Sequence, residues 1–386
     1  MLDRKLFRDP HHHVAAQLTE IAAPALRFGA RVLTRGPASP PALWRNGVIL
    51  GNGHIGDVLY RTCSLAQLSD ELRDCRWTYV TSKPGAETLA GNPALSEVLP
   101  WTDDADRLPA AQLAQLRARR FDVALCSENV AHYRAMFTAL RLGIPNRVAF
   151  TRKGLSGLAT LGIQLDTQVS HALAFRTMVD TVTGTQDESP LRPRIFPSAS
   201  DRSAAAVEFD RLALTRRSVT VVCSVTTRQT VGPCPPAFFE DVLARAFQLT
   251  PDLRVVLAGL NADRKLLESL ASRLGERALV SAGTLGILGF GAMLGMCSAF
   301  IGTDSGARHL ANAAGIPVFF VRNLGTTAVE TGSYLATETD IAPPGEYLSA
   351  TETLRALQSV DRDRVARDLV ETATARANDM REGSLP

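Results

Sequence analysis

The sequence predicts an α/β protein built from two doubly wound, Rossmann-like domains that face each other across a cleft. Three observations carry this expectation. Short runs rich in Val, Ile and Leu alternate with segments of helical period, and the series occurs twice. Each series holds a glycine-containing turn between a strand and a helix, at Gly51-Asn52-Gly53-His54-Ile55-Gly56-Asp57 and at Gly302-Thr303-Asp304-Ser305-Gly306. A stretch rich in Pro, Gly and charge, 183–197, separates the two series. At 386 residues the chain is long enough for two cores. The expected division is an N-terminal extension (1–43), a first domain (44–190), a linker (191–214), a second domain (215–345) and C-terminal helices (346–386).

In the extension, apolar residues recur at Leu18, Ile21, Ala25, Phe28 and Val32, while Arg27, Arg31 and Arg35 line another face. Such a basic amphipathic helix suits an anionic membrane surface. The reading preferred here packs the apolar stripe on the protein's own body. His11-His12-His13 reads as a short exposed run rather than a metal site, and 36–41 as a loop.

The first domain then opens with a buried strand at 48–50 and a helix over 58–72. Strands follow at 77–81, 97–99, 121–126 and 147–150. Helices fall at 86–91, 109–120, 131–142 and 171–182, the third of these closed by Gly143 and Pro145. In the second domain strands are expected at 219–223, 254–258, 278–280, 298–301 and 318–321. Helices lie between them at 236–249, 263–274, 290–297 and 306–314. The first has a clean apolar face of Phe238, Phe239, Val242, Leu243 and Ala246. From Ala350 the pattern is helical and increasingly polar, with fraying expected from about Thr372.

Bulk properties exclude several classes. A net charge of +3 is too small for a nucleic-acid partner. Hydrophobic content of 45% and charged content of 21% are those of a soluble globular chain. No apolar run is long enough to span a bilayer and no signal peptide is evident, so the expected location is cytoplasmic. Six dispersed cysteines with no C-x-x-C pair indicate buried cytosolic thiols, not a zinc site or a disulfide framework.

Chemistry concentrates at the two turns. Thr303, Asp304 and Ser305 are all good N-cap residues, and the helix they open ends at Gly315 before Pro317. Its free N–H groups form a site for phosphate or pyrophosphate, with Arg308 and His309 as charge partners within one turn. An ordinary capped helix is the plainer alternative. The first turn has the form G-x-G-x-x-G. The acidic residue of a dinucleotide site should lie about 20 positions on. Thr81-Ser82-Lys83-Pro84 stands there instead, which argues against NAD and leaves NADP open through Lys83.

Both turns resemble signatures of the ADP-heptose:lipopolysaccharide heptosyltransferases, glycosyltransferase family 9. The C-terminal one is Asp304-Ser305-Gly306, then His309-Leu310-Ala311, then Gly315-Ile316-Pro317; the N-terminal one is Ile55-Gly56-Asp57 before an apolar helix. The resemblance covers about 48–325. It implies a GT-B fold and an inverting glycosyltransferase that moves a heptose-like sugar from an ADP-sugar to a saccharide or glycolipid acceptor in bacterial lipopolysaccharide or surface-glycan synthesis. Asp57 is implied as the general base, with Gly53, His54 and Gly56 on the acceptor side and His54 as the second candidate base. A helix N-terminus stabilises the charged carboxylate, so burial or the approaching acceptor must restore its basicity. On the donor side, Thr226, Thr227 and Arg228 suit a diphosphate. Asp263 stands where the family has a glutamate for ribose hydroxyls. Asp304 would meet sugar hydroxyls, while Ser305, Gly306, His309 and Arg228 would hold the departing pyrophosphate.

The chain also departs from the family, as a divergent member would. The usual lysine before a tryptophan is absent from 229–233, leaving Arg228 as its substitute, and 127–130 and 323–327 differ from the usual segments. His171 matches a family position at the head of a helix. Asp103-Asp104-Ala105-Asp106 contains an Asp-x-Asp, read as a solvated capping loop, and no metal is expected. Expected partners are thus a nucleotide-sugar and its acceptor, with peripheral contact at the cytoplasmic face of the inner membrane. Alternatives are a nucleotide-sugar epimerase or hydrolase of the same fold, and a non-catalytic nucleotide-sugar binding protein.

Overall fold

The computed structural model describes residues 18–382 apart from 35, 52, 102–109, 127–131, 152–153, 165–168, 216–217, 228–233, 323–328, 330–331 and 346–349. The chain divides into two compact units, Met1–Leu191 and Arg192–Pro386. The expected Asp-x-Asp loop, Arg228 and the histidine run lie outside the described residues.

The first unit holds a six-stranded sheet of β1 (Asn46–Leu50), β2 (Arg76–Ser82), β3 (Glu97–Trp101), β4 (Val123–Cys126), β5 (Asn146–Phe150) and β6 (Leu161–Ile163). Their spatial order is β3-β2-β1-β4-β5-β6, with every pairing parallel. Around it lie α1 (Ala23–Leu33), α2 (Ile55–Glu71), α3 (Lys83–Leu89), α4 (Ala110–Ala118), α5 (His132–Arg141) and α6 (His171–Thr183). A parallel sheet is covered on both faces, so its strands are apolar on both. Strand β1 shows this directly. Ile49 joins one core with Val58, Trp77 and Phe175, while Val48 and Leu50 join the other with Met136 and Phe121.

The second unit repeats the plan with β7 (Val219–Ser224), β8 (Leu253–Gly259), β9 (Ala278–Ala282), β10 (Ala299–Thr303), β11 (Val318–Val321) and β12 (Glu338–Asp340). The order β12-β11-β10-β7-β8-β9 is the same topology, again wholly parallel. Its helices are α7 (Ala199–Arg211), α8 (Pro236–Leu249), α9 (Arg264–Leu274), α10 (Ile287–Gly295), α11 (Gly306–Ala314), α12 (Ala350–Gln358) and α13 (Arg362–Arg381). Each Phe or Leu of the α8 face that is fully buried contributes roughly 2 kcal/mol.

Three sequence expectations are corrected and two strands are added. The stretch 199–211, read as linker, is helix α7. Ser198 and Asp201 form a reciprocal capping box, with Asp201 N–H donating to Ser198 Oγ at 3.1 Å and Ser198 N–H donating to Asp201 Oδ2 at 2.8 Å. The tail does not fray at Thr372, because Ala373 and Ala377 of α13 are buried in the second core. Edge strands β6 and β12 carry too little apolar pattern to be read: Leu-Gly-Ile and Glu-Thr-Asp. Finally, the apolar stripe of the N-terminal helix faces solvent. Ile21 is 78%, Phe28 72% and Val32 70% exposed, while Ala23 and Ala30 on another face are buried.

Candidate active site

In a doubly wound sheet, ligands gather beyond the carboxyl ends of the strands where the order reverses. In the second unit that point lies between β7 and β10, which pair with Ser224 opposite Gly302. Gly302 is required by this approach, since a Cβ there would collide with the carbonyl oxygen of Ser224. Two loops leave the strand ends together, 225–227 and 304–305. Thr303 Oγ1 donates to the Thr226 carbonyl at 3.1 Å, and Thr227 Oγ1 donates to the Asp304 carbonyl at 3.4 Å. Thr226 Oγ1 in turn donates to Asp263 Oδ2 at 3.2 Å. Thr226, Thr227, Asp263, Asp304, Ser305 and Gly306 are therefore brought to one place, from three separate strand ends.

Asp263 also accepts from the Leu260 N–H at 2.8 Å, so it closes the turn after β8 while it anchors Thr226. Ser305 is the N-cap of α11, in extended conformation. Its hydroxyl makes no cap bond, is buried and has no hydrogen-bond partner among the described residues. A polar atom left in that state at a helix N-terminus is suited to an anionic ligand. At the other end of α11, Gly315 adopts the left-handed conformation at φ 74°, which stops the helix as expected.

Behind the turn lies a buried ionic network. Arg308 is fully buried; its Nη1 lies 2.9 Å from Asp304 Oδ1, its Nε 2.6 Å from Glu338 Oε1, and its Nη2 donates to the Gly332 carbonyl at 2.7 Å. The guanidinium stacks 3.4 Å above the ring of Phe320. Asn312 Nδ2 donates to Glu338 Oε1 at 2.8 Å, and Tyr334 Oη lies 3.2 Å from both His309 Nδ1 and Asn312 Nδ2. His309 Nε2 is 3.6 Å from Asp304 Oδ1. Burial pushes the Asp304 carboxyl up, but the His309 ring and the Arg308 charge outweigh it and hold the carboxyl below its usual range. Arg308 is thus a structural cation between two carboxylates, not the phosphate partner expected from its place in the first turn. Glu338, Asn312 and Tyr334 escaped the sequence reading. The one signal was Arg308 itself: with Ala311 and Asn312 it lies on the inward face of α11, and a buried arginine demands a carboxylate.

In the first unit, Gly51 and Gly53 follow β1 at the corresponding switch point. His54 is the N-cap of α2, and Asp57 at the third helical position accepts the His54 backbone N–H at 2.8 Å through Oδ2. Gly53 leaves room for this: a Cβ there would sit 2.7 Å from the Asp57 Cβ. Ser82 Oγ donates to the Gly53 carbonyl at 2.8 Å and pins the turn to the end of β2. His54 is exposed, Asp57 half-buried and Gly56 buried. Arg61, one turn on, is fully buried, with Nη1 2.9 Å from Tyr79 Oη. His171, at the start of α6, lies against Tyr60 with ring centroids 5.9 Å apart. All six cysteines are free, and among the described residues no group of three or more His, Cys, Asp or Glu is placed to hold a metal ion. No described helix is long and apolar enough to cross a membrane.

The family model for glycosyltransferase family 9 (heptosyltransferase) matches residues 111–321. Among solved structures, the chain is similar to a glycosyl transferase family 9 protein from Veillonella parvula DSM 2008, at TM-score 0.70 and 16% identity over 87% of this chain and 98% of that one. It is similar to E. coli ADP-heptose lps heptosyltransferase II at TM-score 0.67 and 16% identity, over 86% and 99% of the two chains. E. coli heptosyltransferase WaaC, solved with ADP-2-deoxy-2-fluoro heptose, gives TM-score 0.63 and 15% identity over 84% and 99%. At these identities the likeness is one of fold, the GT-B class. A search of curated protein sequences returns no match.

Proposed function

The chain belongs to glycosyltransferase family 9, the heptosyltransferase family, and from that premise we propose that it is an inverting transferase that moves a heptose-like sugar from an ADP-sugar to a saccharide or glycolipid acceptor. The acceptor would belong to bacterial lipopolysaccharide or another surface glycan, reached at the cytoplasmic face of the inner membrane. The observation that carries the reading is the meeting of Thr226, Thr227 and Asp263 with the uncapped N-terminus of α11 at one switch point. The ADP and ADP-heptose analogue bound by E. coli WaaC support an adenine nucleotide here.

In this mechanism the α11 N-terminus and the Ser305 hydroxyl receive the diphosphate, assisted by Arg228 and His309. Asp263, on the family's glutamate position, takes the ribose hydroxyls, and Asp304 the sugar hydroxyls. Asp57 removes the acceptor proton as the acceptor oxygen attacks the anomeric carbon from the face opposite the nucleotide. The bond to ADP breaks, and the negative charge that leaves with ADP settles on the helix terminus. The reading assigns no step to a metal.

Calorimetry with ADP, UDP, GDP and NADP tests the donor site. Selective ADP binding that is lost in Asp304→Ala and Arg228→Ala supports it. Preference for UDP or GDP replaces the donor, and preference for NADP or no binding overturns the reading. Release of free sugar from an ADP-sugar without acceptor would favour a hydrolase.

A further inference from the structure

We propose that the outward face of the N-terminal helix is a membrane-binding surface for anionic lipid. The inference deepens the proposed function by naming the surface behind its membrane contact, and it rests on that contact alone, not on the donor site.

The helix is apolar on two faces, and only one is used by the fold. Leu26 and Ala30 turn inward onto the first unit's core, and Ala23 is buried beside them. The docking is close and specific. Gly157 meets the Ala23 backbone so tightly that a Cβ would collide with the Ala23 carbonyl oxygen. Glu20 accepts the Ser156 N–H at 2.9 Å, and Thr19 Oγ1 accepts the Leu155 N–H at 3.1 Å. The helix is therefore held in one rotation about its axis, and that rotation keeps Ile21, Phe28 and Val32 in water.

Placing three large apolar side chains outward on a pinned helix is unfavourable unless something covers them. Charge identifies the cover. Arg27 and Arg31 are exposed one turn apart along the edge of the stripe. Glu20 is the one carboxylate between 18 and 34, and it is engaged with Ser156. A second copy laid on this face would bring arginines together with no carboxylate to meet them. A bilayer of anionic lipid satisfies both features: the apolar side chains enter the headgroup–acyl boundary, and the guanidinium groups meet lipid phosphates.

The test is flotation of the full chain with vesicles of phosphatidylcholine alone and of phosphatidylcholine mixed with phosphatidylglycerol. The expected result is binding to the mixed vesicles, weakened by salt and weak on phosphatidylcholine. The double variant Phe28→Ser/Val32→Ser should bind at least ~tenfold more weakly. Arg27→Gln/Arg31→Gln should lose roughly fivefold or more, on the mixed vesicles only. Val207→Ser, which removes an exposed apolar side chain on α7, should bind as the wild type. All of these side chains are exposed, so thermal unfolding should be unchanged, and ADP binding should match the wild type whether or not the donor reading holds. No binding by the wild type, or equal binding by every variant, overturns the proposal. So does concentration-dependent dimerisation abolished in Phe28→Ser/Val32→Ser, which would assign the face to a second copy.

Discussion

Glu338 Oε1 lies 2.6 Å from Arg308 Nε, with both side chains closed to solvent. The same guanidinium holds Asp304 from its other side, at 2.9 Å. The turn assigned to the donor is thus braced by a residue on an edge strand, and the position of the Asp304 carboxylate depends on a pair made behind it.

Removing one partner of a buried pair leaves the other charge uncompensated. Glu338→Gln should therefore destabilise the fold by about 3 kcal/mol in denaturant unfolding. A loss below about 0.5 kcal/mol, the range of ordinary surface substitutions, would mean that the network does not brace the turn.

Ser305→Ala separates ligand binding from stability. Truncating an N-cap serine ordinarily costs about 1 kcal/mol. Here the hydroxyl makes no cap bond, so the unfolding free energy should stay within about 0.5 kcal/mol of wild type. ADP affinity should still fall severalfold in calorimetry. Unchanged affinity would remove the hydroxyl from the donor site.

Asp57 has two roles to separate, base and helix partner. Asp57→Ala should abolish transfer, leave ADP binding nearly intact and cost about 1 kcal/mol of stability, because the His54 N–H loses its acceptor. Asp57→Asn keeps an acceptor oxygen and should restore most of the stability without restoring transfer. Equal loss of transfer and ADP binding would sink the base assignment.

Gly302→Ala should destabilise the second unit by about 3 kcal/mol, since the new methyl meets the Ser224 carbonyl oxygen, which is held in the sheet, and the ring of Phe300 behind it. Gly295→Ala, at the end of α10 with nothing within 4 Å, should be neutral or slightly stabilising. Similar unfolding midpoints for the two variants would contradict the close approach of β10 to β7.

Acid stability should report on Glu208. The Arg211 hydrogen bond, with those of Ser281 and Thr284, overcomes burial and pulls its carboxyl down to about 2 from an ordinary 4.5. The unfolded chain therefore takes the proton first. The stabilisation is complete above pH 4.5 and is lost as pH falls toward about 2. Glu208→Gln should flatten that acid limb and lower stability at neutral pH by about 2 kcal/mol, read by unfolding across the pH range.

Much of the candidate site's local geometry was legible because its turns are short. Gly53, Asp57, Ser305 and Gly306 belong to turns whose chemistry is set within seven residues of chain. Helix α11 and strand β11 run where the periodicity places them, Gly306–Ala314 and Val318–Val321. Helix α7 was hidden by its linker-like surroundings, although its capping box stands in the sequence as Ser198 and Asp201. Asp263 stands at a family position in the sequence, but only the fold shows that its carboxylate joins the turn after β8 to Thr226.

By itself the sequence determined the two βα series, the two strand-to-helix turns and the family they resemble, because period and turn sterics act over a few neighbouring residues. The tertiary structure alone decided the strand order that puts β7 beside β10, the pairing of Arg308 with Glu338, and the outward rotation of Phe28 and Val32. Each depends on which distant surfaces pack together: a buried cation takes its partner from thirty residues away, and a helix with two apolar faces buries the one whose small side chains let backbone meet backbone.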